Sequence, residues 1–400
     1  MSREQLMQMA RREVENLNAG RIDLLDDVYK VPASAYIDQG RWEKEVDRIF
    51  KRLPLVAAFS SELREPGAYR ALEIAGTPLL ITRNDDGRAQ AFVNMCSHRG
   101  AILKPADECG TAKGFRCPYH AWSYDLNGRL VSVFDQKNFG DIDRDAHGLT
   151  PLPTEERSGM IWVIVTPGAE VDFDAFLSGY DQLLDDLRFN ETHVVGRQVL
   201  HGPNWKVAYD GYRDYYHLPI LHRNSFGPDS PHQPDYYYWG PHARLTAPKR
   251  HEKLADTPEE QWVNSDLAAG VWTIFPNVSI AGGGANGNGY MVSQMFPGKT
   301  PLESYTIQNF IQFGDPADDD KEEIAQRMAF YHHVVLNEDY ITGLGIQRAL
   351  QTGARDHLLF GRNEGGGQMF HRWVEALINT EEAGVGDLLK RGIPVPFAGG

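Results

Sequence analysis

Short apolar runs separated by polar turn residues fill the stretch from about residue 53 to residue 166. Examples are the run at 78–82, the polar turn at 84–87 and the next run at 91–95, and the apolar run at 159–165 ends the pattern. Runs of about four to eight residues rich in Val, Ile, Leu and Phe, bounded by Gly, Asp and Asn, are typical of strands joined by tight turns. The pattern therefore predicts a small all-β unit in this part of the chain.

The rest of the chain mixes helical and strand patterns. Residues 1–40 predict a polar helix followed by irregular chain, whereas 289–313 has the alternation of a β-hairpin and 319–350 the periodicity of one or two helices. The glycine-rich run 282–289 lacks the Lys-Ser/Thr ending of a phosphate-binding loop and precedes no helix, so it predicts a turn. This order predicts an α+β fold, in which an all-β domain precedes a domain of helices and antiparallel hairpins.

Composition narrows the class of protein. With 42% hydrophobic and 24% charged residues the chain has the make-up of a globular protein, and its 400 residues favour two domains over one. The formal net charge of −15 argues against nucleic-acid binding, which requires a basic surface. No apolar run approaches the roughly 20 residues that cross a bilayer, and the N-terminus lacks the apolar core of a secretory signal. We expect a cytoplasmic protein without nucleic-acid or membrane partners.

The three cysteines are too few for a disulfide framework in a chain of this length. Two of them lie close to histidines: Cys96 is followed by His98 and Cys117 by His120, with eighteen residues between His98 and Cys117. Cys109 has no such neighbour and is expected to be a small buried or loop residue. Cysteine usage therefore indicates metal binding.

Each of these two segments offers one thiolate and one imidazole. A [2Fe–2S] centre of the Rieske type needs this division, because cysteines hold one iron and histidines hold the other. A structural zinc site is the alternative, but zinc modules usually pair cysteine with cysteine and histidine with histidine. The flanking residues fit two cluster-binding loops, since Gly100 permits a turn, Pro118 stiffens the second loop and Trp122 can cover the cluster. The residues favour a Rieske centre over zinc.

A second group of metal-binding residue types lies at 204–222. His217 and His222 are five residues apart, about 140° around an unbroken helix, which is too far to share a metal easily. Pro219 disfavours helical geometry at the residue before it, so the chain is expected to leave the helix between the two histidines. Asp214 lies three residues before His217 on the same helical face, where it would accept the ring N–H of a metal-bound imidazole. Two histidines and a carboxylate are the ligand set of non-heme iron oxygenases.

The segment 96–128 resembles the Rieske domain of aromatic-ring-hydroxylating and related oxygenases, most closely in Cys-Pro-Tyr-His-Ala-Trp-Ser-Tyr-Asp-Leu-Asn-Gly at 117–128. Ala121 stands where glycine is common, and the spacing between the two loops is slightly longer than usual. Neither departure removes a ligand. Together with the motif at 204–222, the resemblance covers about residues 40–350.

The resemblance implies a Rieske [2Fe–2S] domain at 41–166, followed by a helix-grip catalytic domain with an antiparallel sheet at 167–400. Residues 1–40 would pack with the catalytic domain. The chain would be the catalytic α-subunit of an oxygenase, and a late helix would supply the third ligand of a mononuclear Fe(II). We assign this ligand to Asp339, with the adjacent Glu338 as the alternative.

The resemblance also implies partners. Dioxygen is the co-substrate and a small organic molecule, most often aromatic, is the substrate. Electrons come from a reductase, a ferredoxin or both, because the chain has no strand–Gly-x-Gly-x-x-Gly–helix unit for a nicotinamide or flavin. The catalytic subunits would form a ring of three, with or without a small β subunit. Asp214 would then carry an electron between His120 of one subunit and His217 of the next.

The reaction outcome stays open at this point. Gly211 stands where many ring dioxygenases have Asn, so ring dihydroxylation, monooxygenation and oxidative demethylation of an N- or O-methyl compound are alternatives. Four tyrosines at 209–216 either line a pocket or pack the helix, and the aromatic run 236–239 is a pocket lid or a strand. Two rival functions are a Rieske electron carrier without catalysis and a zinc hydrolase built on the second group of ligands.

Overall fold

The computed structural model describes residues 2–282 and 288–397 and divides the chain into two compact units. The smaller unit spans Phe50–Val171, and the larger unit unites the chain before it with the chain after it; the sequence predicts domain boundaries at residues 41 and 166. Most of the glycine-rich run 282–289, for which a turn is predicted, lies outside the described residues. Within the described ranges, no helix is both long and apolar enough to cross a bilayer.

The smaller unit consists of three antiparallel sheets, as its pattern of apolar runs and turns predicts. The strands predicted around residues 80 and 92 are confirmed as Thr77–Arg83 and Ala89–Val93, which pair with Leu80 opposite Phe92. The other strands are Leu55–Phe59, Ala68–Ile74, Cys109–Thr111, Phe115–Arg116, Ser123–Tyr124, Leu130–Ser132, Pro151–Leu152, Thr154–Arg157 and Met160–Val163. The last of these is the strand predicted within 159–165.

Both predicted cysteine ligands belong to the buried core of the smaller unit. Cys96 and Cys117 pack in one cluster with Phe92, Trp122 and Tyr124. Apolar residues that meet from several strands hold the loops between them in one conformation, because a close-packed core tolerates little displacement. The core therefore fixes the two Cys–His loops relative to each other.

The larger unit is built on a seven-stranded antiparallel sheet. The predicted hairpin is confirmed as Gly289–Pro297 paired with Ser304–Phe313. The aromatic run at 236–239 belongs to the edge strand Asp235–Trp239, so it is a strand and not a lid. The remaining strands of this sheet are Thr192–Gly202, His242–Thr246, Val271–Ile274 and Val278–Gly282.

The helices predicted at 319–350 are confirmed as Lys321–Val334 and Ile341–Leu350. The π-helical turn Val335–Tyr340 joins them without a break. Such turns occur mostly as single insertions within α-helices, frequently at functional sites. The other helices are Ser2–Ala19, Ser34–Ile37, Gln39–Glu45, Val46–Phe50 (a second π-helical turn), Gln136–Phe139, Phe173–Leu177, Tyr180–Leu184, Trp205–Asp210, Leu218–Leu221, Glu252–Ala255, Asn264–Leu267, Gly365–Ile378 and Val385–Arg391.

The chain before residue 50 belongs to the larger unit. Helix Ser2–Ala19 is the polar helix that the sequence predicts. The prediction of irregular chain after it is wrong, because Tyr29–Pro32 forms a strand paired with His357–Phe360. A four-residue strand whose partner is far along the chain leaves no local pattern from which it could be recognised.

A buried ion pair ties this N-terminal stretch to the helix that leads into the candidate site. Lys206 and Glu45 are in contact, and both side chains are fully buried. Glu45 also accepts hydrogen bonds from the indole N–H of Trp205 (3.0 Å) and from Nε of Arg41 (3.1 Å). Burial lowers the pKa of Lys206, and the Glu45 carboxylate opposes this effect. The buried Lys206 ammonium is therefore stabilised in its charged form by the Glu45 carboxylate.

We expect Lys206→Met to lower the free energy of unfolding by about 3 kcal/mol, because the buried Glu45 carboxylate then keeps only Arg41 as an ionic partner. The double variant with Glu45→Gln should recover more than half of this loss, since the buried carboxylate is then gone and Arg41 keeps Glu375 (2.8 Å) as its ionic partner. Chemical denaturation at neutral pH measures both changes. Lys44→Met, which removes an exposed lysine from the same segment, is the control. A single-variant loss below about 1 kcal/mol would contradict the prediction.

Glu13 on the N-terminal helix is fully buried and accepts a hydrogen bond from the hydroxyl of Tyr237 (2.7 Å). Burial, reinforced by the nearby Asp235, raises the pKa of Glu13 from its ordinary value of 4.5 to about 8. The folded protein therefore keeps a proton that the unfolded chain releases. Its contribution to stability is complete below about pH 4.5 and is lost as the pH rises toward 8.

Glu13→Gln removes this titration, so we expect the stability of the variant relative to the parent to rise by about 4 kcal/mol between pH 5 and pH 8.5. Denaturation curves at the two pH values provide the measurement. Glu15→Gln, at an exposed position on the same helix, should show no such pH-dependent difference. Equal stabilities of Glu13→Gln and the parent at both pH values would mean that Glu13 titrates normally.

Candidate metal centres

Two loops of the same design carry the four residues predicted to hold a [2Fe–2S] cluster. In the first, the backbone N–H of Gly100 donates to the carbonyl of Cys96 (2.9 Å), and in the second that of Ala121 donates to the carbonyl of Cys117 (3.0 Å). Gly100 and Ala121 have φ values of +72° and +57°. Alanine in this left-handed region costs about 1–2 kcal/mol relative to an ordinary conformation. Ala121 is therefore the strained version of the turn that Gly100 makes freely.

The four side chains lie on the two loops with the thiols inside and the imidazoles outside. Cys96 and Cys117 are buried, whereas His98 and His120 are half-buried, with ring centroids 4.7 Å apart. Trp122 stacks on His98 at 4.8 Å, as its predicted role of covering the site requires. This arrangement would leave the histidine-bound iron at the surface, where electrons can enter and leave.

The chemistry of these donors fits a [2Fe–2S] cluster. Burial raises the pKa of the Cys96 thiol, and the neighbouring Cys117 thiol adds to the rise. Burial lowers the pKa of His98, and His120 lowers it further, so the His98 ring favours the neutral form that metals bind. The hydroxyl of Tyr124 lies 3.2 Å from Sγ of Cys96, where it can donate to a ligand sulfur.

The third cysteine has a different environment. Cys109 is exposed in the strand Cys109–Thr111, with Arg70 as its pairing partner on the neighbouring strand. The prediction of a buried or loop position is therefore wrong. Three exposed residues show no apolar alternation, so this edge strand has no signal in the sequence.

In the larger unit, His217, His222 and Asp339 each bring one possible ligand atom within 4.8 Å of the others. Oδ1 of Asp339 is 3.2 Å from Nε2 of His222 and 3.8 Å from Nε2 of His217. The two imidazole centroids are 5.1 Å apart, with an interplanar angle of 70°. The two Nε2 atoms and one carboxylate face a common point, which is the ligand set of a two-histidine, one-carboxylate iron site.

The chain reaches the two histidines by a different route from the predicted one. Helix Trp205–Asp210 ends in one 3₁₀ turn, and Asp214 is already extended (φ −137°, ψ 159°). A new short helix, Leu218–Leu221, lies between the histidines, with Pro219 in its first turn. The prediction that Pro219 ends a helix is therefore wrong, because the first turn of a helix is where a missing N–H costs nothing. The extended conformation also means that Asp214 shares no helical face with His217.

Each histidine has a carboxylate at its other ring nitrogen. Oδ1 of Asp214 lies 2.9 Å from Nδ1 of His217, and Oε2 of Glu338 lies 2.6 Å from Nδ1 of His222. Burial lowers the pKa of both histidines, but the carboxylates outweigh it, so both pKa values are raised overall. A carboxylate that accepts from Nδ1–H leaves Nε2 free to bind a metal.

Glu338 and Asp339 are adjacent but contact different atoms. They lie on the π-helical turn Val335–Tyr340. Glu338 faces Nδ1 of His222 and accepts a hydrogen bond from Ser225, whereas Asp339 faces the Nε2 atoms. The sequence offers Glu338 only as an alternative ligand. Its actual contact has no sequence signal, since two neighbouring acids are equivalent until the geometry of the turn is known.

Asp214 and Glu338, the carboxylates that contact Nδ1 of the two histidines, differ in how many of their oxygens accept hydrogen bonds. Asp214 accepts from the ring and the backbone N–H of His217 through the same atom, Oδ1 (2.9 and 3.1 Å). Its Oδ2 has no hydrogen-bond partner among the described residues. Glu338 uses both oxygens, one for His222 and one for Ser225. Asp214 therefore retains one acceptor oxygen that no described residue uses.

A cavity of ≈ 690 Å³ adjoins His217, His222 and Asp339. This volume lies within the range of about 300–1,000 Å³ that small-molecule sites occupy. Its walls combine aliphatic, aromatic and a few polar side chains. Apolar examples are Leu218, Phe226, Val271, Met291, Val334 and Val335.

The four tyrosines at 209–216 divide between the two predicted alternatives. Tyr212 and Tyr215 line the cavity. Tyr209 is fully buried, and its hydroxyl donates to the carbonyl of Val278 (2.8 Å), so it packs the helix on the sheet. Tyr216 is exposed. Sequence spacing alone could not separate them, because the chain leaves the helix within this stretch.

Two family models match the chain. The model described as "Rieske [2Fe-2S] domain" matches residues 54–144, and that described as "Ring hydroxylating alpha subunit (catalytic domain)" matches residues 189–380. The first range contains both Cys–His loops, and the second contains His217, His222 and Asp339. This chain belongs to the Rieske oxygenase α-subunit family.

Known proteins of this family align with part of the chain. It is 31% identical to the glycine betaine monooxygenase oxygenase subunit of Pseudomonas aeruginosa over 199 residues, which are 49% of this chain and 46% of that protein. It is 29% identical to the anthranilate 1,2-dioxygenase large subunit of Acinetobacter baylyi over 222 residues, 53% of this chain and 47% of that protein. The alignments thus span about half the length of these relatives.

The similarity in three-dimensional structure covers more of the chain than the sequence alignments do. A solved quaternary ammonium Rieske monooxygenase in complex with gamma-butyrobetaine superposes with a TM-score of 0.73 at 21% identity, covering 88% of this chain and 97% of that chain. The predicted α+β class, with an all-β Rieske domain and a helix-grip domain on an antiparallel sheet, is confirmed.

Proposed function

We propose that this chain is the terminal oxygenase component of a Rieske-type oxygenase, which incorporates oxygen from O2 into a small organic molecule. The observation that carries the proposal is the convergence of His217, His222 and Asp339 on the wall of a ≈ 690 Å³ cavity. These three residues would hold a mononuclear Fe(II). The two Cys–His loops, with Cys96, His98, Cys117 and His120, would hold the [2Fe–2S] cluster.

When bound, the reduced iron supplies the O2 chemistry that amino-acid side chains lack. The residues of this chain do the rest. Asp214 and Glu338 accept the Nδ1–H of the two histidines and so fix the rings with Nε2 toward the metal position. Three protein ligands would leave coordination positions for O2, and the apolar side chains of the adjoining cavity would contact and orient the substrate.

Electrons would come from a separate reductase, a ferredoxin or both. We further propose a ring of three catalytic subunits, with or without a small β subunit, in which His120 of one copy lies next to Asp214 of its neighbour. Oδ2 of Asp214, which has no partner among the described residues of its own chain, supports this arrangement. An acceptor oxygen at that place can receive a ring N–H from outside the chain.

Two reaction types remain as candidates for this site. Relatives of this chain include a glycine betaine monooxygenase and an anthranilate 1,2-dioxygenase. Tyr212, Tyr215 and Phe226 present aromatic side chains to the cavity, and aromatic faces suit either an aromatic ring or a methylated ammonium group. The proposal therefore includes ring hydroxylation and, as the second candidate, oxidative demethylation of an N- or O-methyl compound.

The test starts with protein purified without air and reduced with dithionite. O2 is then added together with single members of a panel of aromatic acids, hydrocarbons, steroids and N-methylated compounds. We expect one class of compound to accelerate the return of the visible Rieske absorption and to be oxygenated itself. Release of formaldehyde identifies demethylation, and a diol product identifies ring dihydroxylation.

Other outcomes would select the rival functions. A Rieske spectrum without a second, mononuclear iron indicates an electron carrier. A colourless protein that binds zinc and no iron indicates a metallohydrolase built on the triad. Iron-replete protein without a Rieske spectrum overturns the proposal altogether.

A further inference from the structure

Arg250 is a cation on the wall of the same cavity that adjoins the triad. It belongs to the turn Pro248–His251, in which its backbone N–H donates to the carbonyl of Ala247 (2.8 Å). Pro248 and His251 on either side are buried. The side chain of Arg250 is exposed. A fixed backbone thus presents a charged, accessible group at the cavity.

The guanidinium is held in place by an aromatic ring. Its carbon lies 5.2 Å from the ring centroid of Tyr215, which is buried and donates to the carbonyl of Leu245 (3.3 Å). Tyr215 precedes His217 by two residues and lines the cavity as well. Stacking on a rigid aromatic face reduces the freedom of an arginine side chain and leaves the edge of its planar fork available.

No carboxylate within the described ranges forms an ion pair with Arg250. Two of the three aspartates that line the cavity are already engaged, since Asp214 and Asp339 contact the histidines. The third, Asp229, is exposed and lies beyond ion-pair distance of Arg250. Arg250 is therefore a cation at the cavity that forms no ion pair with a carboxylate of the described residues.

We propose that Arg250 determines substrate specificity by binding a carboxylate of the substrate, so that the proposed oxygenase acts on an organic acid. A guanidinium matches a carboxylate with two parallel N–H···O bonds, which fix both position and orientation. With the acid group at Arg250, the rest of the molecule lies along the apolar walls toward His217 and His222. This inference rests on the proposed function but deepens it, because it names the substrate class.

The test uses pairs of compounds in which methylation removes the charge of the carboxylate: benzoate, phenylacetate, 1-naphthoate, 4-methoxybenzoate and γ-butyrobetaine, each beside its methyl ester. Binding to the iron-loaded protein is measured by isothermal titration calorimetry without O2, so that turnover is not required. We expect at least one acid to bind about 10-fold or more tightly than its ester. Arg250→Met should weaken binding of that acid by about 10- to 100-fold and change binding of the ester less than about twofold.

Two further variants make the result specific. Arg250→Lys keeps the charge but not the planar fork, so it should lose part of the preference for the acid. Lys249→Met removes the neighbouring exposed cation, whose ammonium donates to the carbonyl of Asp229, and should leave the preference unchanged. Circular dichroism on each variant reports whether the fold is intact.

Two results would overturn the inference: no acid in the series binds more tightly than its ester, or Arg250→Met retains the preference. Iron content and the Rieske spectrum are recorded on the same samples. Absence of the metal centres from the iron-loaded parent protein would contradict the proposed oxygenase function. Equal binding of acids and esters by parent protein with intact centres would contradict only the role of Arg250.

Discussion

Asp339→Ala is expected to abolish turnover while leaving the Rieske cluster in place. The substitution removes the carboxylate that lies 3.2 Å from Nε2 of His222 and 3.8 Å from Nε2 of His217. Two imidazoles alone hold Fe(II) weakly, and even residues that only support a ligand are worth about 10–100-fold in metal affinity or activity. We therefore expect more than a 100-fold loss of turnover, and iron content should fall from about three to about two atoms per chain.

The measurement combines metal analysis, visible spectroscopy and substrate-stimulated oxidation of the reduced protein. Asp229→Ala is a matched control, since it removes another aspartate from the same cavity but one that does not face the histidines. Glu338→Ala provides the critical comparison with the neighbouring acid. If Glu338→Ala loses the mononuclear iron and Asp339→Ala retains it, the assignment of the third ligand is reversed.

Residue types at fixed spacing predict the four residues that the structure places on the two Cys–His loops. Cys96 and His98, like Cys117 and His120, are so close in sequence that a single turn decides where both side chains point. A motif this short can be recognised from the sequence without knowledge of the fold. The departure at Ala121 was visible as well, but its consequence was not, because only the backbone shows that this alanine occupies the left-handed position that Gly100 takes in the other loop.

The structure brings together the three predicted residues His217, His222 and Asp339, but the path of the chain between them differs from the predicted one. His217 and His222 were recognised from their spacing, yet the helix-breaking role given to Pro219 was wrong because the helix had already ended before Asp214. Where a helix ends depends on tertiary packing as well as on local propensity, so a proline can mark either the end of one helix or the start of another.

Contacts between distant segments escaped sequence reasoning altogether. The strand pair of Tyr29–Pro32 with His357–Phe360, the hydrogen bond from His222 to Glu338 and the position of Arg250 all depend on residues brought together by the fold. Each partner is unremarkable in its own neighbourhood. For the proposed chemistry, the most important of these contacts are those of Asp214 and Glu338. Both carboxylates can orient a histidine, but only Asp214 keeps an oxygen without a partner among the described residues, and the sequence does not show this difference.

Asp214 and Glu338 offer a direct test of electron transfer between subunits. Both accept from Nδ1 of an iron-type histidine, but Glu338 uses its second oxygen within the chain, whereas Oδ2 of Asp214 has no partner among the described residues. If the only role of either carboxylate were to orient an imidazole, isosteric substitution should reduce turnover about equally, by about 10–100-fold. A bridge to His120 of a neighbouring copy would make Asp214 the more important residue.

We therefore expect Asp214→Asn to lower turnover by about 1,000-fold and Glu338→Gln by about 10-fold, with cluster absorption and iron content retained in both. Asparagine keeps the shape of Asp214 and can still accept from His217 through Oδ1, but it loses the charge and the second acceptor oxygen. Single-turnover oxidation of the pre-reduced protein measures the electron-transfer step itself, and Asp214→Ala shows the effect of removing the whole group. Equal losses in Asp214→Asn and Glu338→Gln would reduce Asp214 to a residue that orients His217, and full activity of Asp214→Ala would rule out the bridge.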